Sequence, residues 1–170
     1  GKGENAYIGG VADKYNFPVD INEEKALTYS IYEEIAEGNL QALPGVFSFI
    51  KKARNIGLKL AVATSADKIK MEVNLRNIGL PADTFAVTVN GLEVERKKPY
   101  PDIFRIAAKK LKLLPEECLV VEDAVSGVGA AIRAGCKCLA LTTSFKKEDL
   151  SKAHWISNTL EDAPDMALNW

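Results

Sequence analysis

Between residues 46 and 142 the sequence alternates short apolar runs with amphipathic helical segments, and this alternation limits the possible folds more than any other feature. The predicted strands are the apolar runs at 58–64, 85–89, 118–122 and 136–142. The predicted helices lie at 46–57, 66–79, 101–113 and 125–135, followed by a weaker one at 146–153. Apolar strands joined by helices form parallel sheets that are covered on both faces. We therefore predict an α/β fold with a Rossmann-like parallel sheet and helices on both of its faces.

Residues 1–42 show helical periodicity and contain no predicted strand. Apolar residues recur at helical spacing in the segments 4–15 and 22–38. The predicted apolar stripe of the second segment consists of Ala26, Leu27, Ile31, Ile35 and Ala36. The stretch LPGV (43–46) then interrupts the pattern with Pro and Gly, as a hinge does. We therefore predict a small helical unit at 1–42 and an α/β unit at 43–170.

Composition excludes several classes of protein. Of the 170 residues, 47% are hydrophobic and 26% are charged, which is typical of a soluble globular domain. The net charge of −1 argues against a nucleic-acid surface, and no apolar stretch reaches the length of a membrane span. The three cysteines form no disulfide framework and are interpreted as buried, reduced thiols. We expect a cytoplasmic monomer with no nucleic-acid or membrane partner.

The single histidine, His154, restricts the catalytic options. Catalysis by Ser-His-Asp or Cys-His groups would have to use it, yet no Ser or Cys nucleophile motif accompanies it. A histidine-rich zinc site is excluded. We interpret His154 as a residue at a strand end or on the surface.

Thr64 and Ser65 follow the first predicted strand and directly precede a helix. In parallel sheets, ligands bind beyond the carboxyl ends of the strands. Hydroxyls at such a position, close to the free amides of a helix N-terminus, can hold a phosphate. Ser and Thr are equally common there as simple helix caps, so both interpretations stay open. Asp67, in the first turn of the helix, is interpreted as a residue that satisfies the helix dipole.

Lys98 lies in the stretch RKKPYPDIF (96–104), immediately before Pro99. Proline imposes an extended backbone on the preceding residue. The lysine side chain is therefore held in a defined direction at the start of the next helix. A lysine in that place can neutralise a bound anion. The alternative is a solvated surface lysine, which is how we interpret Lys97.

Glu122 and Asp123 end the apolar run CLVV and are followed by small residues. Two carboxylates at the end of a buried strand are costly unless a cation pairs with them. Mg²⁺ selects a few carboxylate oxygens together with waters and substrate phosphate. An N-cap at Asp123 with a solvated Glu122 is the alternative. Together, the hydroxyls, the lysine and the acidic pair describe a site for phosphate and Mg²⁺.

These motifs resemble the haloacid dehalogenase superfamily, in its branch of small-metabolite phosphatases and β-phosphoglucomutase-like enzymes. Thr64 matches the second motif of the family, Lys98 in KPYPDIF the third, and Glu122 with Asp123 in VVEDAVSGVGAAIRAG the fourth. The resemblance covers nearly the whole chain. It implies that residues 1–42 are part of an α-helical cap domain and that residues 43–170 are the core.

The resemblance also implies a reaction, namely phosphoryl transfer through an aspartyl-phosphate with Mg²⁺ as cofactor. Asp123 is then a Mg²⁺ ligand, and Glu122 is an auxiliary ligand or a group next to the ligands. Thr64 and the amide of Ser65 hold the phosphoryl oxygens, and Lys98 neutralises phosphate and nucleophile. The substrate is then a small phosphorylated metabolite, such as a sugar phosphate.

Two departures from the family pattern matter. The family's first motif, Asp-x-Asp, ends a first strand that lies between the strands of Thr64 and Glu122, and no Asp-x-Asp occurs in this sequence. We therefore expect the first core strand and the nucleophile to be missing and the chain to be inactive alone. The second departure is Glu4, which stands where the mutases have an arginine that binds a second phosphate. A carboxylate would repel that phosphate, so a phosphatase is favoured, with Lys2 and Asn5 as candidates for the substrate entrance. The alternative for Glu4 is a residue at a helix N-terminus that satisfies the helix dipole.

Three alternatives remain open from the sequence. One is a β-phosphoglucomutase-like mutase. Another is a receiver-like phospho-acceptor domain, although in those domains the acidic pair comes first and the lysine last. The third is a catalytically dead fold that serves as a binding module.

Overall fold

The structure is a computed structural model that describes the backbone from Glu4 to Trp170 and the side chains from Tyr7 onward. The predicted positions Lys2, Glu4 and Asn5 therefore lie outside the described side chains. The helices are α1 (Glu4–Lys14), α2 (Ile21–Ala36), α3 (Val46–Asn55), α4 (Lys68–Asn77), α5 (Asp102–Leu111) and α6 (Val125–Ala134). The strands are β1 (Ala61–Ala63), β2 (Val87–Val89), β3 (Leu119–Glu122), β4 (Lys137–Leu141) and β5 (Trp155–Ser157).

All strand pairs in this described part run parallel, so the predicted α/β class is confirmed. β1 pairs with β2, with Val62 opposite Thr88. β3, β4 and β5 form a second sheet in that order, with Val120 opposite Cys138. Each predicted strand contains an observed one.

An apolar groove of about 320 Å³ separates β1 from β3. It is lined by Ala61 and Ala63 on one side and by Leu119 and Val121 on the other. Within the described chain, neither strand has a second partner on this side. Val121 is 38% exposed although it lies in the middle of an apolar strand. The groove lies where the family resemblance predicts the first core strand.

The hydrophobic core is formed by β2, β3 and β4 together with α5 and α6. Val89, Ile103, Val128 and Leu150 are almost completely buried in it. Cys136 and Cys138 belong to the same cluster, and burial raises the pKa of both thiols to about 12. They are therefore packing residues and not reactive thiols, as predicted.

Three local predictions were wrong. Residues 146–153 form turns rather than a helix. Their backbone hydrogen bonds join residues three apart, as in the bond from the Leu150 amide to the Lys147 carbonyl at 3.2 Å. β5 was not predicted, because it has only three residues and no local sequence pattern indicates its pairing with β4. In the predicted stripe of α2, Leu27, Ile31 and Ile35 are exposed and only Ala36 is buried, together with Tyr29, which was not predicted.

No helix in the described part of the chain combines the length and the apolar character that crossing a bilayer requires.

Candidate active site

A cavity of about 880 Å³ lies at the carboxyl ends of β1 and β3. It is lined by the five residues predicted from the strand ends, which are Thr64, Ser65, Lys98, Glu122 and Asp123. Parallel strands end at the same edge of a sheet, so residues far apart in sequence meet there. The structure therefore brings the predicted core residues together at one place.

The turn between β1 and α4 carries Thr64 and Ser65. The Thr64 amide donates to the Val89 carbonyl at 2.9 Å, and its Oγ1 accepts from the Ala66 amide at 3.1 Å. Thr64 is not the cap of α4, because that position belongs to Asp67. The Oγ of Ser65 is buried and has no hydrogen-bond partner among the described residues. A buried hydroxyl without a partner is rare in proteins and fits a ligand that would satisfy it.

Gly91 allows this turn to pass close to the chain that follows β2. Its amide donates to the Ala66 carbonyl at 2.7 Å, and a Cβ added to Gly91 would lie 2.2 Å from the Ser65 carbonyl oxygen. The atom in the way belongs to the backbone, so the turn itself would have to move.

We therefore expect Gly91→Ala to lower the free energy of unfolding by about 1–3 kcal/mol, the range typical of overpacking. The measurement is urea unfolding followed by circular dichroism. Gly10→Ala is the matched control, because a Cβ at Gly10 would meet nothing within 4 Å. Equal stability of the two variants would contradict the tight packing of this turn.

Lys98 forms an ion pair with Glu122, and their side chains are only 10% and 8% exposed. The ammonium group also lies 5.0 Å from the ring centroid of Phe104. Lys98 is thus not a solvated surface lysine. Its charge is held at the wall of the cavity, where a bound anion would meet it.

Glu122 is fixed from several sides. Its Oε1 accepts from Lys98, and its Oε2 accepts from the amides of Asp123 at 3.2 Å and Ala124 at 3.4 Å. A Cβ on Gly127 would lie 2.1 Å from the carboxyl carbon of Glu122, so only glycine leaves room for this carboxylate. Glu122 therefore acts as the partner of Lys98 in this arrangement.

Asp123 has a different environment from Glu122. Its Oδ2 accepts a hydrogen bond from Ser144 Oγ, in the loop after β4. Sequence reasoning missed Ser144, since a serine in a polar loop carries no distinguishing pattern. The bond orients the Asp123 carboxylate at the cavity wall.

The residues present fit Mg²⁺ in part. Between Tyr7 and Trp170 there is no cluster of three or more His, Cys, Asp or Glu side chains that could hold a metal. Mg²⁺ does not need such a cluster, because it is commonly held by one or two carboxylates with waters and phosphate. Asp123 suits that role, whereas both oxygens of Glu122 are already engaged.

The opposite wall of the cavity comes from the helical unit and from α4. It consists of Tyr7, Ile8, Thr28, Tyr29, Tyr32 and Lys70. The ammonium group of Lys70 lies 4.9 Å from the ring centroid of Tyr32. Sequence reasoning missed Thr28, Tyr29 and Tyr32 because it took the apolar stripe of α2 as the inward face.

His154 lies at the opposite edge of the sheet, where β5 begins. Its Nδ1 accepts from the Cys138 amide at 3.1 Å, and its own amide donates to the Cys138 carbonyl at 2.9 Å. Burial and the charge of Lys137 lower the pKa of the imidazole. His154 therefore has a structural role at a strand end.

The class of this protein is defined by an α/β fold with a cavity at the carboxyl ends of parallel strands, under a pair of helices, into which charged and hydroxyl-bearing residues are brought together. Residues 2–135 match the family model for haloacid dehalogenase-like hydrolases. The chain therefore belongs to the haloacid dehalogenase-like hydrolase family.

Two curated relatives and one solved structure are similar to this chain over most of its length. SUPPRESSOR OF QUENCHING 1, chloroplastic, of Arabidopsis thaliana is 36% identical over 90% of this chain and 15% of its own length. Protein CbbY of Rhodobacter capsulatus is 35% identical over 85% of this chain and 65% of its own length. The crystal structure of CbbY from Rhodobacter sphaeroides with xylulose-(1,5)bisphosphate has a TM-score of 0.81 at 28% identity, over 89% of this chain and 69% of that one. The chain thus spans only 15% to 65% of these curated relatives.

Proposed function

We propose that this chain carries most of the phosphate site of a Mg²⁺-dependent phosphatase that acts on a small, sugar-like phosphorylated metabolite. The observation that supports this most is the meeting of Thr64, Ser65, Lys98 and Asp123 in one cavity. In this proposal residues 1–42 belong to a helical cap and residues 43–170 to the core.

Each of these site residues has a positioning or electrostatic role in the proposed reaction. The Ser65 hydroxyl and the amides of its turn bind phosphoryl oxygens, and Lys98 balances their negative charge. Glu122 holds Lys98 in place. Asp123 would hold Mg²⁺, which supplies further charge neutralisation on the phosphate when bound. Phosphoryl transfer depends mainly on such positioning and electrostatic stabilisation.

The attacking aspartate is not among these residues in our proposal. Neither Glu122 nor Asp123 is in an Asp-x-Asp motif, and their carboxylates are engaged by Lys98 and Ser144. We therefore propose that the chain binds phosphate but does not hydrolyse phosphate esters by itself.

The substrate class rests on the cap-side wall and on the relatives. Thr28, Tyr29 and Tyr32 line a cavity of about 880 Å³, which is large enough for a sugar phosphate. The xylulose bisphosphate bound to the related CbbY supports a phosphorylated sugar.

Binding of inorganic phosphate in the presence of Mg²⁺, measured by titration calorimetry, tests the proposal. We expect Ser65→Ala to weaken phosphate affinity by about ten- to a hundredfold, the value of roughly one hydrogen bond to a charged group. The same change should leave stability unaltered, because Ser65 Oγ has no protein partner to lose.

Ser48→Ala is the matched control, since Ser48 is exposed and bonds only to the Gly45 carbonyl. It should leave phosphate affinity unchanged. Absence of phosphate binding by the wild-type chain, or equal affinity of Ser65→Ala and wild type, would refute the assignment of this turn.

A further inference from the structure

Asp67 occupies the N-cap position of α4 but does not cap that helix. An aspartate at this position usually accepts from the amides two or three residues later. No such bond is made here. The carboxylate pairs instead with Lys25 on α2, and the two side chains are only 8% and 17% exposed. Asp67 thus bonds to the neighbouring helix, at the expense of its usual role.

Tyr29 and Lys97 complete the surroundings of this carboxylate. Burial raises the pKa of Asp67, but hydrogen bonds from Lys25 and Tyr29 and the charges of Lys25 and Lys97 outweigh it and lower the pKa. The carboxylate therefore stays ionised and the pair intact at neutral pH. Lys97, interpreted from the sequence as a solvated lysine, is half-buried beside Gly91.

The Lys25–Asp67 pair begins a polar seam between α2 and α4. One turn or more further on, Tyr32 Oη donates to Asn74 Oδ1 at 2.7 Å. Arg76 Nη2 then donates to Glu33 Oε1 at 2.5 Å. Because the partners keep almost the same separation in sequence, the two helices run side by side in the same direction.

The ion pairs of this seam differ in solvent exposure and therefore in how much they stabilise the contact between α2 and α4. The side chains of Arg76 and Glu33 are 62% and 53% exposed, so that pair contributes little. Removing one partner of a largely buried pair is costly, because it leaves an uncompensated charge. The end of the seam next to the cavity is therefore the stronger one.

That strong end is continuous with the proposed phosphate turn. Asp67 follows Ser65 by two residues, and Tyr29 is both its partner and part of the cavity wall. A displacement of α2 would pull on Asp67 and, through it, on the turn that carries Ser65. Asp67 therefore connects α2 directly to the turn that carries Ser65.

We propose that Asp67 is a positioning residue, whose pairing with Lys25 and Tyr29 keeps the Thr64–Ser65 turn in its binding conformation only while α2 lies against α4. The position of the helical unit then controls the affinity of the core for phosphate. This inference rests on the proposed phosphate site.

The experiment combines hydrogen-exchange mass spectrometry with calorimetric titration of inorganic phosphate and Mg²⁺. In Asp67→Asn we expect faster exchange in α2 and also at the amides of Thr64 and Ala66, by about tenfold, with a similar loss of phosphate affinity. Lys25→Met should reproduce both effects, and it decides the matter if Asp67→Asn fails to fold. Lys25→Arg, which keeps the charge, should restore most of the wild-type behaviour.

Glu33→Gln is the control from the exposed end of the seam and should change neither readout. If Asp67→Asn and Lys25→Met loosen α2 alone and leave the turn and the phosphate affinity as in wild type, the pair is a tether and the proposal is wrong. If the wild-type chain binds no phosphate, the proposed function fails, whereas the exchange at Thr64 and Ala66 still tests the coupling.

Discussion

Supplying an Asp-x-Asp strand ahead of residue 1 should turn this chain from an inactive protein into a phosphatase. Alone, the chain should release no phosphate from an aryl phosphate in the presence of Mg²⁺, because its sequence contains no Asp-x-Asp motif to supply the nucleophile. With the strand fused, we expect Mg²⁺-dependent turnover, measured by phosphate release.

The reason lies in the groove between β1 and β3. Both strands leave one edge open toward it, and unpaired strand edges readily accept another strand. Ala63 and Val121 line both the groove and the cavity, so the groove opens into the site. A parallel strand placed there would deliver its carboxyl end to Lys98 and Asp123.

The matched control carries Asn in place of the first aspartate of the added strand. It should gain the same stability by pairing both edges, yet lose at least about a thousandfold in turnover, as expected for removal of a nucleophile. Turnover by the chain alone, or equal turnover with aspartate and asparagine, would show that the nucleophile lies elsewhere.

Lys98→Met should cause a large loss of stability. It leaves the Glu122 carboxylate, only 8% exposed, without its cation. Breaking a buried pair from one side costs about 3–5 kcal/mol. Urea unfolding measures this loss, and phosphate titration should show that binding weakens as well.

The double variant Lys98→Met with Glu122→Gln separates the pair from the fold. A neutral amide can keep the bonds from the Asp123 and Ala124 amides, so much of the stability should return, while phosphate binding stays weak. If Lys98→Met alone unfolds within about 0.5 kcal/mol of wild type, the pair does not stabilise the site as we argue.

The strands and helices of the core could be read from the sequence because their signals are local. The apolar run 118–122 and the small-residue helix after it need no distant partner to be recognised. β5 was missed because a strand of three residues depends on its pairing with β4. The turns at 146–153 were wrongly predicted as a helix, because their conformation depends on the packing of Leu150 in the core.

The candidate site divides in the same way. Topology predicts that Thr64, Lys98 and Glu122 meet, since each lies at or beyond the carboxyl end of a parallel strand. Residue type alone does not separate the two carboxylates, and the assignment of Asp123 to Mg²⁺ came from the family resemblance; in the structure they differ in their partners. Those partners are Lys98 for Glu122 and Ser144 for Asp123.

The fold class and the order of the helices and strands from α3 to β4 follow from periodicity, and the candidate site residues follow from residue type and motif spacing. The inward face of α2, the link from Asp67 to Lys25 and the open groove between β1 and β3 became visible only in three dimensions. Periodicity records which residues share a face of a helix, but it cannot say which face meets another element. That choice depends on the free energy of contacts between segments more than 40 residues apart.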